Sequence, residues 1–514
     1  MTTSCRRFYQ FFLAVSLLLA GFAARASVVD VLFTHARVID GSGRPAFIGD
    51  VAVTGGQVSF VGDAAKHNII ATQTIDAAGK YLTPGFIDLH AHGNPVKDGA
   101  FTNFISMGVT SVVLGQDGFS PAISGIQSWQ QQWDPQGVAV NIGMLVGHGS
   151  LRRYVGIGNV SNVSEKQISA MESVLNNALD THFGLSTGLE YVPAIHAPES
   201  ELIALAKIVG KKHRLIMSHM RSEDDDKLFT SIHELARQGK FAKVHISHIK
   251  SVYGQGAERG KDIVALLEQY NNERIHITAD IYPYTASYTG LAILFPQWAK
   301  TDGMMQRAVQ TRRKELEQYL LNKVLSRGGP GSTLMGTGKY KGRTLEEVAT
   351  LLEKPFQDVL IDDLGPEGAS AAYFIMDDAL QEELLKSRLV AIGSDGSPTM
   401  YHPRGYGSFA KVLQQYVKQQ GLLTIEKAIY KMTGLAAQII GLPKRGLIRE
   451  GYSADLLLFD LNQIKSHADY QHPHQLATGF EWVMVNGKFA IEQGNVNLNR
   501  QGQLLLPASY NQEH

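Results

Sequence analysis

Residues 85–92 read GFIDLHAH, an apolar run that closes on two histidines two positions apart. Alternate residues of a strand share a face, so His90 and His92 leave the C-terminal end of such a strand in the same direction. Seven further strand-like runs follow: SVVLG (111–115), VNIGMLVG (140–147), FGLSTG (183–188), LIMSHM (215–220), VHISHI (244–249), HITADIYPY (276–284) and VAIGSD (390–395). Helical periodicity fills gaps between them, for example at 165–180, 199–212 and 225–239. Eight strand–helix repeats over 84–440 predict an α/β fold, a TIM-like (β/α)8 barrel. The stretch 286–389 is too long for one βα loop and carries a charged helical sequence, MMQRAVQTRRKELEQYLLNKVL. It predicts an inserted subdomain between the last two barrel strands, near the active-site mouth.

Outside the barrel both ends look alike. Residues 30–83 hold short alternating runs broken by Gly41-Ser42-Gly43, Gly55-Gly56 and Gly62-Asp63, read as hairpins. GLIREGYSADLLLFD (446–460) and FEWVMVNGKFAIEQG (480–494) repeat the pattern. One small β-sandwich built from 27–83 and 441–514 is therefore expected.

Residues 1–26 differ from both. Arg6 and Arg7 precede the apolar FFLAVSLLLA (11–20), and Ala24-Arg25-Ala26 supplies a small-residue cleavage site. This reads as a secretory signal peptide cut after Ala26, with a periplasmic or secreted product and no stable membrane anchor. Its loss removes three arginines and no acids, turning 48 basic and 48 acidic residues into a net charge of −3. That balance gives no basic surface for nucleic acid or anionic lipid, and the expected partner is a small molecule. The residues leave the oligomeric state open. Cys5, the only cysteine, lies in the signal segment. The mature chain then has no thiol for a disulfide, a nucleophile or a metal ligand.

Strand C-termini of a barrel converge on one mouth. There His219 ends the fifth strand, His248 the sixth and Asp395 the eighth, while Asp117 follows the second. A lone histidine or aspartate at a strand end is usually structural. Six candidates on five strands at one end point instead to a site for one or two zinc-like ions, held by His90, His92, Asp117, His219, His248 and Asp395. Asp395 has a further use. A metal lowers the pKa of its water to about 7, and a carboxylate beside it can take the proton and later pass it to a leaving nitrogen. A competing motif, Gly184-Leu185-Ser186-Thr187-Gly188, matches the nucleophile elbow G-x-S-x-G. No helix pattern follows it, and no free aspartate–histidine pair lies downstream.

PGFIDLHAHGN (84–94), GLSTGLEYVPAIHA (184–197), SHMRSE (218–223), SHIK (247–250), DIYPY (280–284), GSDG (393–396) and HPR (402–404) together resemble the D-aminoacylase, or N-acyl-D-amino-acid deacylase, family of the amidohydrolase superfamily. DGSG (40–43), GYSADLLLFD (451–460) and VNGK (485–488) resemble its β-sandwich, so the resemblance spans about residues 30–490. It implies hydrolysis of the amide of an N-acyl-D-amino acid. It also implies a tightly bound zinc at His219 and His248, with a second, weaker position among His90, His92 and Asp395. In the same scheme Asp395 is the general acid and base, and Tyr191 bonds the scissile carbonyl. Lys250, Arg404 and Tyr282 or Tyr284 then grip the substrate carboxylate. The family carries cysteine in a GNCG turn, whereas GQDG (115–118) puts Asp117 there, a harder ligand. FGLSTG lacks the fourth-strand lysine of the hydantoinase branch. Two alternatives stand beside the deacylase. One is an isoaspartyl or D-residue dipeptidase using Glu190, Glu223 or Asp224 for a substrate ammonium. The other is a metal-binding protein without catalysis, which would have no use for Asp395.

Overall fold

The computed structural model describes residues 28–133, 135–497 and 500–508, and the segment 1–26 predicted to be a signal peptide lies outside them. Among the described residues no helix is long and apolar enough to cross a membrane.

The barrel strands are Phe86–Asp88, Val109–Leu114, Asn141–Met144 with Val146–Gly147, Gly184–Gly188, Leu215–His219, Lys243–Ile246, Ile277–Ile281 and Val390–Ile392. Each pairs in parallel with the next. Helices and inward side chains cover both faces, so the strands read as largely apolar runs; VTSVVL (109–114) is buried throughout. The ring closes at the site itself. Ala91 pairs with Gly396, Asp395 N–H donates to the His90 carbonyl at 2.8 Å, and His92 N–H to that of Gly396 at 2.7 Å. Below this seam, buried Asp88 accepts the Ser394 N–H at 2.9 Å.

Outer helices follow the expected periodicity. Glu165–Ala178 opens on a Ser164–Gln167 capping box and buries Met171, Leu175 and Ala178 down one stripe. Within 286–389, the strands Ala286–Gly290, Ser370–Phe374 and Thr333–Met335 form an antiparallel sheet. Helix Asp302–Ser326 packs over it, and Phe295, Leu316, Leu320, Val324 and Tyr373 share a separate core. The insertion is shorter than the sequence suggested. Asp378–Lys386 is an outer barrel helix, lying so close to Gly256–Asn272 that a Cβ at Gly260 would stand 2.7 Å from the Leu380 carbonyl.

The two chain ends form one nine-stranded sheet in which Tyr81–Pro84 pairs with Leu456–Phe459. Val31, Phe33, Val51 and Val53 share a core with Leu456, Leu458, Trp482 and Met484. Gly55-Gly56 and Asn486-Gly487 make tight turns with positive φ. The turns touch: a Cβ on Gly487 would lie 2.4 Å from Gly56 Cα, which is why both are glycine. Two expectations change. Gly62-Asp63 is no hairpin, because Ile70–Asp76 crosses over to pair in parallel with Val28–Val38. Residues 502–505 leave the sandwich and bond Val138 and Ile142 at the third barrel strand.

A buried ion cluster joins two βα units. Glu201 receives Arg152 Nη1 at 2.7 Å and lies 2.6 Å from His148 Nε2, all three side chains being buried. Burial alone would raise the Glu201 pKa; His148 and Arg152 outweigh it and hold the carboxyl below its usual range. Glu201→Gln would strand the Arg152 charge, so unfolding free energy should drop by about 3–5 kcal/mol, read from the urea midpoint at constant slope. Because the folded-state pKa is lowered, this stabilisation is full above the unfolded value of about 4.3 and fades as pH falls through the folded one. The variant should lose that part of the acid sensitivity. An unchanged midpoint would contradict the assignment.

Candidate metal centre and active site

The six donors predicted from strand ends converge. Ligand atoms of His90, His92, Asp117 and Asp395 all lie within 4.8 Å of one another, as do those of Asp117, His219 and His248. Asp117 belongs to both groups. Its Oδ1 is 3.5 Å from both His90 Nε2 and His248 Nε2, and its Oδ2 is 3.5 Å from His92 Nε2. His219 Nδ1 lies 3.0 Å from His248 Nε2. Asp395 places Oδ1 2.9 Å from His92 Nε2 and Oδ2 2.9 Å from Arg404 Nη1.

Local backbone aims these groups. Asp117, His248 and Asp395 sit just beyond their strands at φ of 53°, 37° and 49°, a region few non-glycine residues enter and where aspartate and histidine are among the better tolerated. The chain turns there and delivers the side chain to the mouth. Ser186 serves the same end. Its hydroxyl donates to the Gly115 carbonyl and accepts the Gly118 N–H at 3.1 Å, clamping the turn that carries Asp117. The elbow-like motif is thus a brace. Its Gly188 is needed because a Cβ there would meet the Asp117 carbonyl at 2.1 Å.

Both ring nitrogens of His90 and Oδ1 of Asp117 are buried without a hydrogen-bond partner. Buried polar atoms are nearly always satisfied, and imidazole nitrogens facing carboxylates suit a borderline divalent cation. The residues fit a metal centre, with donors for two positions sharing Asp117.

Around the donors lies a layer that sequence reading missed. Asp280 accepts the His248 N–H at 2.9 Å, contacts His245 Nε2 at 2.9 Å and faces His90 Nδ1 at 3.6 Å. Gly393 is the neighbour that leaves it room, since a Cβ there would lie 3.0 Å from Oδ1. DIYPY carried the signal for Asp280, but a strand aspartate shows no orientation in sequence. His402 was likewise passed over in HPR. Its Nδ1 accepts the Arg404 N–H at 3.1 Å and its Nε2 meets the Ala286 carbonyl at 3.0 Å, tying Arg404 to the insertion.

A cavity of about 430 Å³ opens over the donors, lined by Tyr191, Lys250, Tyr282, Tyr288, Asp395 and Arg404 among others. Tyr191 is buried enough to push its hydroxyl pKa well above the usual value, and Thr289 Oγ1 donates to it at 3.4 Å. It stays a neutral donor. Burial would raise the Asp395 pKa, but Arg404 and the histidines hold it far below the usual range, so the group is ionised. Lys250 Nζ binds Glu223 at 2.7 Å and His248 Nδ1 at 2.8 Å. The Arg404 guanidinium stacks 4.7 Å from the Tyr282 ring. Tyr284 departs from the expected set. Its N–H donates to the Tyr282 carbonyl at 3.0 Å, a three-residue turn that sends the ring away to pack on Lys411 and His402.

Known proteins share this arrangement of chain. The Amidohydrolase family profile matches residues 333–491. An N-acyl-D-aspartate deacylase of Alcaligenes xylosoxydans xylosoxydans is 32% identical, the match covering 93% of this chain and 95% of the relative. A solved D-aminoacylase described by its binuclear metal centre superposes with a TM-score of 0.79 at 30% identity, over 93% of this chain and all of its own. An N-acyl-D-glutamate deacylase from Bordetella bronchiseptica, complexed with zinc and a phosphonate mimic of the tetrahedral intermediate, gives 0.79 at 27% over the same shares. With near-complete coverage in both directions, the chain belongs to the D-aminoacylase family of amidohydrolases.

Proposed function

We propose that the protein hydrolyses the amide bond of N-acyl-D-amino acids, releasing a carboxylate and a free D-amino acid. The observation that carries this reading is Asp395, held ionised between the histidine donors on one side and Arg404 on the other. Bound zinc, held by His219 and His248 with Asp117 shared toward His90 and His92, would supply Lewis acidity and a water of lowered pKa. Asp395 accepts the proton of the attacking water and returns it to the leaving nitrogen. Tyr191, neutral and half-buried, donates to the carbonyl oxygen as negative charge builds on it. Arg404, Lys250 and Tyr282 receive the substrate carboxylate, a planar guanidinium and an ammonium both suiting that group. Glu190, Glu223 and Asp224 are already engaged by His219, Lys250 and Lys323. That favours an acylated substrate nitrogen over the free ammonium of a dipeptide. The signal-like segment supports action outside the cytoplasm, and mass spectrometry of exported protein should find Ser27 at the N-terminus.

The test is amine release by the zinc-loaded mature protein from paired N-acetyl-D- and N-acetyl-L-amino acids. Chelator-sensitive hydrolysis confined to the D series is expected. Turnover of the L series, or of neither, would overturn the reading.

A further inference from the structure

The insertion forms one wall of the catalytic cavity, and that wall carries a guanidinium which the hydrolysis above does not use. Arg327 follows helix Asp302–Ser326, is 5% exposed, and lines the cavity with Val252, Tyr288 and Ile293. Its Nε has no hydrogen-bond partner. The guanidinium carbon stands 5.4 Å from the Tyr373 ring centre and 5.7 Å from that of Tyr253, so two aromatic rings fix its position. Its ion pair, with Asp224 Oδ1, is long at 3.6 Å. Asp224 is more closely matched to Lys323, at 3.1 Å. Lys300, a third cation of the insertion, reaches the Glu190 carbonyl at 3.5 Å, while the Glu190 carboxylate faces His219 at 3.2 Å.

A buried charge with so little pairing is costly unless something anionic completes it. We propose that Arg327 is a specificity-determining residue that receives a second carboxylate on the substrate, so that the preferred N-acyl-D-amino acids are dianions. This rests on the deacylase reading and deepens it. Arg404 and Lys250 serve the α-carboxylate, and Arg327 presents a separate planar fork from the insertion. An apolar substrate end would leave that fork desolvated and unpaired, which is the stronger kind of discrimination. The second carboxylate can come from an acidic side chain or from a dicarboxylic acyl group.

Two substrate pairs and one residue position test this. N-acetyl-D-glutamate is compared with N-acetyl-D-glutamine, and N-succinyl-D-leucine with N-acetyl-D-leucine. The wild-type protein should show the higher kcat/KM for the dianion in one pair, and that pair identifies which end of the substrate Arg327 meets. Arg327→Gln should lower the dianion-to-monoanion ratio in the same pair by about 10- to 100-fold, with Arg327→Lys restoring part of it. Preference for the monoanion in both pairs, or a ratio unmoved by Arg327→Gln, overturns the proposal even if Arg327→Lys folds poorly. Failure of the wild-type protein on all four compounds removes the deacylase reading itself, and the proposal with it.

Discussion

Asp395→Asn is expected to lower kcat by about 10²- to 10⁴-fold, the range a positioned proton-transfer group contributes, while the chain still binds metal. The geometry separates the two effects. Asp395 is one donor of its group, and His90, His92 and Asp117 remain around the same point when it becomes an amide. Asparagine keeps the shape and an oxygen but cannot take a proton from water. It also frees Arg404, whose Nη1 lies 2.9 Å from Asp395 Oδ2, so KM should move less than kcat. The measurement is kcat alongside metal content of the purified variant. Full activity would remove Asp395 from the chemistry, whereas loss of all metal would make it a ligand only.

His248→Ala should have a comparable effect by another route. His248 Nε2 is 3.0 Å from His219 Nδ1 and 3.5 Å from the shared Asp117 carboxylate, so its removal leaves that group with only His219 and Asp117. Bound zinc should fall, and kcat/KM with it by several kcal/mol of barrier, on the order of 10³-fold or more. Asp280→Asn gives the graded comparison. It leaves every donor in place but weakens the carboxylate that accepts the His248 backbone N–H at 2.9 Å and faces the His90 ring Nδ1 at 3.6 Å, and a group supporting a ligating ring in this way is worth about 10- to 100-fold. Equal losses in the two variants would mean that Asp280 does more than orient. Unchanged zinc content in His248→Ala would move the tight position elsewhere.

The barrel was legible because a parallel strand covered on both faces must be a short apolar run, and most runs here carry a glycine, histidine or aspartate at or next to their C-terminal end. His90 and His92 could be placed even before the fold was known, since spacing by two gives a shared face. Asp117 and His248 could be placed only as near strand ends; their left-handed backbone, which does the aiming, leaves no mark in composition. Ser186 shows the reverse error that sequence invites. Its motif fits a nucleophile, yet its hydroxyl is spent on the Gly115 and Gly118 backbone, partners nearly seventy positions away in sequence.

Strand period, glycine turns, and metal-donor chemistry are local properties, and from them the sequence by itself determined the barrel, the two-ended sandwich, the presence of an insertion and six candidate donors. Tertiary structure decided what depends on which distant groups meet. It turned Tyr284 away and Tyr282 in, paired Arg404 with Asp395, set Asp280 behind two histidines, and brought Arg327 from the insertion to the cavity wall. The reason is physical: a side chain's role here is set by the charge and burial around it, and both come from residues far away along the chain.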